Sequence, residues 1–176
     1  MRKSTYVYSD LTEREVPMRL MSSGLRWLWL AVIVIALDRI SKDWVVMHLA
    51  FFEPREILPV LNFTLAYNTG AAYSFLDSAS GWQHWVLGGL AVVVTGVVLV
   101  WLSRVPKTAW CLNVALCLII AGAIGNACDR VMYGYVVDFI DFHINSWHFA
   151  IFNVADSAIS VGVVLLMIDW LRTGRR

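Results

Sequence analysis

The chain has 176 residues, 59% of them hydrophobic and only 15% charged, with a mean hydropathy of +0.66. Soluble domains run near about 45–50% apolar and about 25% charged, so the composition excludes an ordinary water-soluble enzyme and points to a single compact membrane domain. A formal net charge of +1 excludes the strongly basic footprint of a nucleic-acid-binding protein.

Residues 1–23 are polar and mixed in charge, and read as a cytoplasmic extension rather than a span or a cleavable signal. Met18 and Met21 are alternative starts, and the residues before Met21 are expected to be dispensable. A spanning helix needs about 20 mostly apolar residues. Four segments approach that length, at about 27–47, 82–102, 109–127 and 154–171. Lys and Arg concentrate before the first (Arg2, Lys3, Arg14, Arg19, Arg26), between the second and third (Arg104, Lys107) and after the fourth (Arg172, Arg175, Arg176). The positive-inside rule then places both termini in the cytoplasm. Trp27, Trp29, Trp101, Trp110 and Trp170 fall at the inner interface under that topology, and Trp44, Trp82 and Trp85 at the outer one.

The two outer connections hold the polar chemistry. In the first, Leu61 to Tyr67 alternates in the period of a strand and leads into the turn-like Asn68-Thr69-Gly70. A small sheet on the outer membrane surface is expected there, with the run from Ala71 to Leu76 dipping toward lipid. In the second, Val136 to Phe142 alternates again and fits a half-buried strand or a mobile flap. Asp38 and Lys42 form an i,i+4 acid–base pair roughly 17 Å along the first span from Trp27. A charge at such depth costs at least about 2.5 kcal/mol unless it faces the bundle interior or water. Asn126, Asp129 and Arg130 close the third span and Asp156 opens the fourth, so every costly group lies on one side of the membrane. Each alone has a bland reading: Asp156 favours a helix dipole, and Arg130 can reach for headgroups. Together they describe a site.

The site is carboxylate-rich. His48, His84, His143 and His148 include no His-Glu-x-x-His spacing, and the His143/His148 step matches no common metal motif. No Gly-x-Ser-x-Gly or Ser-x-x-Lys pattern supplies a serine nucleophile. Cys111, Cys117 and Cys128 lie in one apolar stretch and read as buried thiols packing as small hydrophobes. Gly122 and Gly125 read as a close helix contact. Two carboxylates held close in a poorly solvated site retain one proton between them, so the pair acts as base and acid together. Asp129, Asp138, Asp141 and Asp156 are all candidates, and chemistry alone does not select two. A transporter explains intramembrane charge, but the chain has no internal repeat or pair of broken helices. A non-catalytic scaffold leaves the one-sided clustering unexplained.

From about Gly24 to its C-terminus the chain resembles signal peptidase II, the bacterial lipoprotein signal peptidase family. The resemblance rests on Asp38-Arg39-Ile40-Ser41-Lys42, Tyr67-Asn68-Thr69-Gly70-Ala71-Ala72, Gly125-Asn126-Ala127-Cys128-Asp129-Arg130, Val136-Val137-Asp138-Phe139 and Phe152-Asn153-Val154-Ala155-Asp156-Ser157. It implies an all-α membrane protein of four transmembrane helices with a small β-rich outer cradle. Residues 24–172 would form one peptidase domain, followed by a basic cytoplasmic tail, 173–176. It implies Asp138 and Asp156 as the catalytic dyad, supported by Asp38, Lys42, Asn68, Gly70, Asn126, Asp129, Arg130, Asn153 and Ala155. It also implies an inner-membrane aspartic endopeptidase that cleaves prolipoproteins on the N-terminal side of a diacylglyceryl-modified cysteine. No metal or other cofactor is expected; membrane lipid is the other partner, and the expected working unit is a monomer. Asn68 and Asn153 are expected to hydrogen-bond backbone groups or the aspartates. Cys128, where relatives tend to carry a bulkier residue, and the N-terminal extension are departures from the family pattern.

Overall fold

The structure, a computed structural model, describes residues 22–70 and 82–173. The expectations for residues 1–21, for the 71–76 run and for the tail beyond Thr173 lie outside the described residues. A 3-10 turn, Gly24–Trp27, opens helix α1 (Leu28–His48). Strands β1 (Arg55–Leu58) and β2 (Leu61–Asn68) precede α2 (Gln83–Arg104) and α3 (Trp110–Tyr133). Strands β3 (Val136–Ile144) and β4 (Trp147–His148) come before α4 (Val154–Thr173).

Among the described residues, three helices are long and apolar enough to cross a membrane: Gln83–Arg104, Trp110–Tyr133 and Val154–Arg172. Helix α1 matches them in length, with 21 residues, but Asp38, Arg39, Lys42 and Asp43 interrupt its apolar run. At the inner end expected from the sequence, the start of α1 abuts the α2–α3 connector. Gly24 N–H donates to Val105 O at 2.7 Å and Lys107 N–H to Ser22 O at 3.0 Å. Trp27 Nε1 donates to Lys107 O at 3.1 Å.

Helix α3 is the hub, packing against α1, α2 and α4 and burying one residue after another along its length. Its apolar cluster joins Leu116, Cys117 and Ile120 to Ala31 of α1 and to Val98 and Leu102 of α2. Against α4 the backbones nearly touch. A Cβ on Gly122 would fall 2.3 Å from Ala155 O, and one on Gly162 would fall 2.8 Å from Ala115 O, so only glycine permits the approach. Cys111 and Cys117 are buried as expected; Cys128 is not, and faces outward beside Val131 and Met132 in an apolar groove against α2. The helix runs past its expected end at Ala127 to Tyr133, because Asn126 and Asp129 turn inward to polar partners. It stops at Gly134, whose φ of 79° lets its N–H return to Arg130 O at 3.0 Å.

The strands form one four-stranded sheet in the order β1-β2-β3-β4, each neighbouring pair antiparallel. The connection between α3 and α4 is therefore a strand, with Ala66 opposite Asp138 and Asn68 opposite Val136. Val137 and Phe139 point to one face, where they pack on Leu65 and on Val45 of α1. A backbone strap then fixes the approach to α4. Phe139 and Ile140 N–H donate to Phe152 O at 3.0 and 2.7 Å, and Phe152 N–H returns to Ile140 O at 3.1 Å. The residue after Phe152 is Asn153, so the strap sets the start of α4 beside the middle of β3.

Candidate active site

Helix α4 begins on a reciprocal cap. Asn153 Oδ1 accepts from Asp156 N–H at 2.9 Å, and the Asp156 carboxylate accepts from Asn153 N–H at 3.3 Å. This is the capping-box geometry, which satisfies two orphan N–H groups at once. A third is taken by Asp38 Oδ1, which accepts from Ala155 N–H at 2.9 Å. Ala155 is fully buried, and its small side chain lies against Gly125 and leaves room for that contact.

Four carboxylates competed for a role, and their surroundings separate them. Asp129 is buried and saturated: Arg39 Nη1 reaches it at 3.0 Å, Lys42 Nζ at 2.9 Å and Val137 N–H at 3.2 Å. Asp141 projects from β3 with the opposite parity to Asp138 and so leaves by the other face of the sheet. There it accepts from His148 Nδ1 at 2.8 Å, Thr64 Oγ1 at 3.1 Å and Asn62 Nδ2. Burial works against its ionisation, but those hydrogen bonds prevail and hold its carboxyl below the usual range. The two remaining acids, Asp138 and Asp156, both line a cavity of about 530 Å³ between the β3–α4 segment and the first turns of α4.

Asn153 joins that pair. Its Nδ2 lies 2.6 Å from Asp138 Oδ1 while its Oδ1 and N–H hold Asp156. Asn68 Nδ2 donates to the other Asp138 oxygen at 3.0 Å, and Asn126 Nδ2 donates to Asp156 Oδ1 at 2.7 Å. Each carboxylate is thus oriented by amides, with no cation among the described residues bound directly to it. Burial first, and the neighbouring Asp156 carboxylate second, push the Asp138 carboxyl up to about 7 against the hydrogen bonds from Asn68 and Asn153. One proton is therefore retained near neutrality. The ionised member can take a proton from water while the protonated one polarises a carbonyl.

The cations sit one layer behind. Lys42 Nζ, fully buried, is satisfied by Asp38 at 2.8 Å, Asp129 at 2.9 Å and Asn126 Oδ1 at 3.2 Å. Arg130 does not reach for headgroups: it donates to Asn126 O and to Gly70 O, both at 3.2 Å, and borders the cavity. Gly70 N–H closes a turn on Asn68 Oδ1 at 3.1 Å, which aims the Asn68 amide at Asp138. The eleven residues that the family resemblance implies thus fall in or directly behind one site, whereas Asp141, the remaining candidate, does not.

The sequence reading missed Arg39, which pairs with Asp43 and Asp129 and stacks its guanidinium over Tyr133. Its position beside Asp38 was the available signal. It also missed the Asp141–His148 pair, foreshadowed only by Asn62 and Thr64 sharing one face of β2. His143 and His148 stack at 5.1 Å across the β3–β4 hairpin.

Residues 30–172 match the family described as Signal peptidase (SPase) II. The Lipoprotein signal peptidase of Shewanella halifaxensis is 46% identical over 160 residues, covering 91% of this chain and 94% of that protein. That of Hydrogenovibrio crunogenus is 50% identical over 157 residues, covering 88% and 91%. A bacterial membrane enzyme solved by the in meso method superposes with a TM-score of 0.74 at 32% identity, covering 84% of this chain and 88% of its own. The chain belongs to the signal peptidase II family and is a membrane protease.

Proposed function

We propose that this protein removes the signal peptide from prolipoproteins whose cysteine already carries a diacylglyceryl group, cutting on the N-terminal side of that cysteine. Asp138 and Asp156 are the catalytic dyad. The observation that carries this assignment is that these two acids alone among the four candidates border the cavity, while Asn153 bonds both. Water attacks the scissile carbonyl, one carboxylate accepting its proton and the other donating to the carbonyl oxygen. Asp38, Lys42, Asn68, Gly70, Asn126, Asp129, Arg130, Asn153 and Ala155 hold the pair in place.

In this reading α1 is a fourth span, its charges turned to the interior, and residues 24–172 act as one monomeric domain in the bacterial inner membrane. The 1–23 extension and the 173–176 tail lie in the cytoplasm and the dyad faces outward. The contact between the start of α1 and Lys107 supports that arrangement, because it gathers Arg26, Arg104 and Lys107 at one end of the bundle.

The test is cleavage of a diacylglyceryl-modified prolipoprotein by purified protein in detergent. Wild type should cut, and folded Asp138→Asn and Asp156→Asn should each lose at least about a thousandfold in rate. Turnover that survives in Asp138→Asn but not in Asp129→Asn would move the second carboxylate. No cleavage by folded wild type would overturn the function.

A further inference from the structure

The cavity does not stop at the aspartates. Its lining continues down α4 past Ser157 to Ile159, Ser160 and Val161, and also includes Phe149 and Ile151. Ser160 stands four residues after Asp156, on the same helix face and about 6 Å further along the axis.

Its hydroxyl is unlike those of its neighbours. Ser41, Ser103 and Ser157 each donate to a carbonyl three or four residues back, at 2.9, 2.7 and 2.9 Å. That back-bonding is the usual resting place of a serine inside a helix. Ser160 is exposed to the cavity and makes no such bond to a described residue. Its hydroxyl therefore stands open to the cavity, free to donate to an acceptor that a ligand brings.

We propose that Ser160 is a substrate-binding, specificity-determining residue whose hydroxyl donates to an ester carbonyl of the glyceryl lipid. This rests on the prolipoprotein reading above and extends it to the lipid. The distances agree. From the nitrogen of the scissile amide to the carbonyl oxygen of the nearer ester of a diacylglyceryl cysteine runs a path of about eight covalent bonds, ~9 Å when extended. With the scissile bond at the dyad, the ester reaches the level of Ser160. The apolar side chains of Ile159 and Val161 flank that level and receive the first methylenes of the acyl chains.

The experiment compares two synthetic prolipoprotein peptides in detergent, one with a diacyl ester glyceryl thioether and one with the dialkyl ether analogue, which has no carbonyl. Wild type should prefer the ester peptide about fivefold in kcat/KM, the effect of one neutral hydrogen bond. Ser160→Ala should lose that preference by raising KM for the ester peptide, with kcat and all constants for the ether peptide unchanged. Ser160→Thr, which keeps the hydroxyl, should retain it. An equal loss on both peptides would make Ser160 a packing residue and overturn the proposal, as would no loss on either. Failure of wild type to cut either peptide would instead overturn the parent function, and this inference with it.

Discussion

Replacing Asp138 with asparagine should stabilise the protein above neutral pH while abolishing its chemistry. The Asp138 carboxyl is pushed up to about 7 in the folded chain, against an ordinary value of 3.8. Below about pH 4 it is protonated both folded and unfolded, and burial costs nothing extra. As pH rises, the unfolded chain ionises this group while the folded chain still holds it neutral, so stability falls until about pH 7 and then levels off. At 1.36 kcal/mol per pH unit, the full loss is about 4 kcal/mol. Asparagine escapes it. Asn68 and Asn153 both donate to Asp138, and an amide offers only one acceptor oxygen, so one hydrogen bond worth about 1 kcal/mol is forfeited. The net expectation is a variant about 1 kcal/mol less stable at pH 4 and about 3 kcal/mol more stable at pH 8. Thermal unfolding of both proteins in non-ionic detergent, followed across that range, should show the two Tm curves crossing. A Tm difference that does not change with pH would refute the argument, because it would mean that burial does not penalise this carboxylate.

Three further outcomes follow from the same geometry. The dyad should lose its shared proton near pH 7, so kcat/KM should fall about tenfold per pH unit on the alkaline side; a flat profile to pH 9 would place the needed proton elsewhere. Gly122→Ala forces a methyl group to within 2.3 Å of Ala155 O. It should destabilise by about 2 kcal/mol or more and depress activity by shifting α4 against β3, read as lower Tm and lower kcat together. Asp129→Asn leaves Lys42 and Arg39 short of a buried counter-charge and weakens the anchor on Val137 N–H. A loss of about 3–5 kcal/mol in stability is expected, measured by thermal unfolding at low and high salt, with little change between the two because the pair is buried.

The sequence made the apolar helices plain, since α2 needs only composition to be recognised. It could not settle how far α3 runs: Asp129 and Arg130 look like an end by hydropathy, and only their inward partners make them part of the helix. The alternation of Val136 to Phe142 admitted a flap or a strand because its partner is far away in sequence, and pairing with β2 is a tertiary fact. β1 and β4 are too short and too exposed to leave a pattern. Among the acids, residue type and order pointed to four candidates. What separates them is parity along β3 and saturation by Lys42, Arg39 and His148, neither of which a linear reading contains without the family resemblance.

The ion cluster behind the site also bears on biogenesis. Asp38 and Lys42 make α1 a poor candidate for partitioning into lipid alone, since each charge near the centre of a helix adds about 2.5–3.5 kcal/mol to insertion. Its partners Asp129 and Asn126 belong to α3, which leaves the ribosome much later. If α1 is the fourth span proposed above, it is the described helix that must wait, held at the translocon or the interface until α3 arrives to neutralise it. Truncations ending before α3 should therefore leave α1 extractable by alkali, whereas those ending after Tyr133 should not, and the assembly of this protease would be ordered from its middle outward.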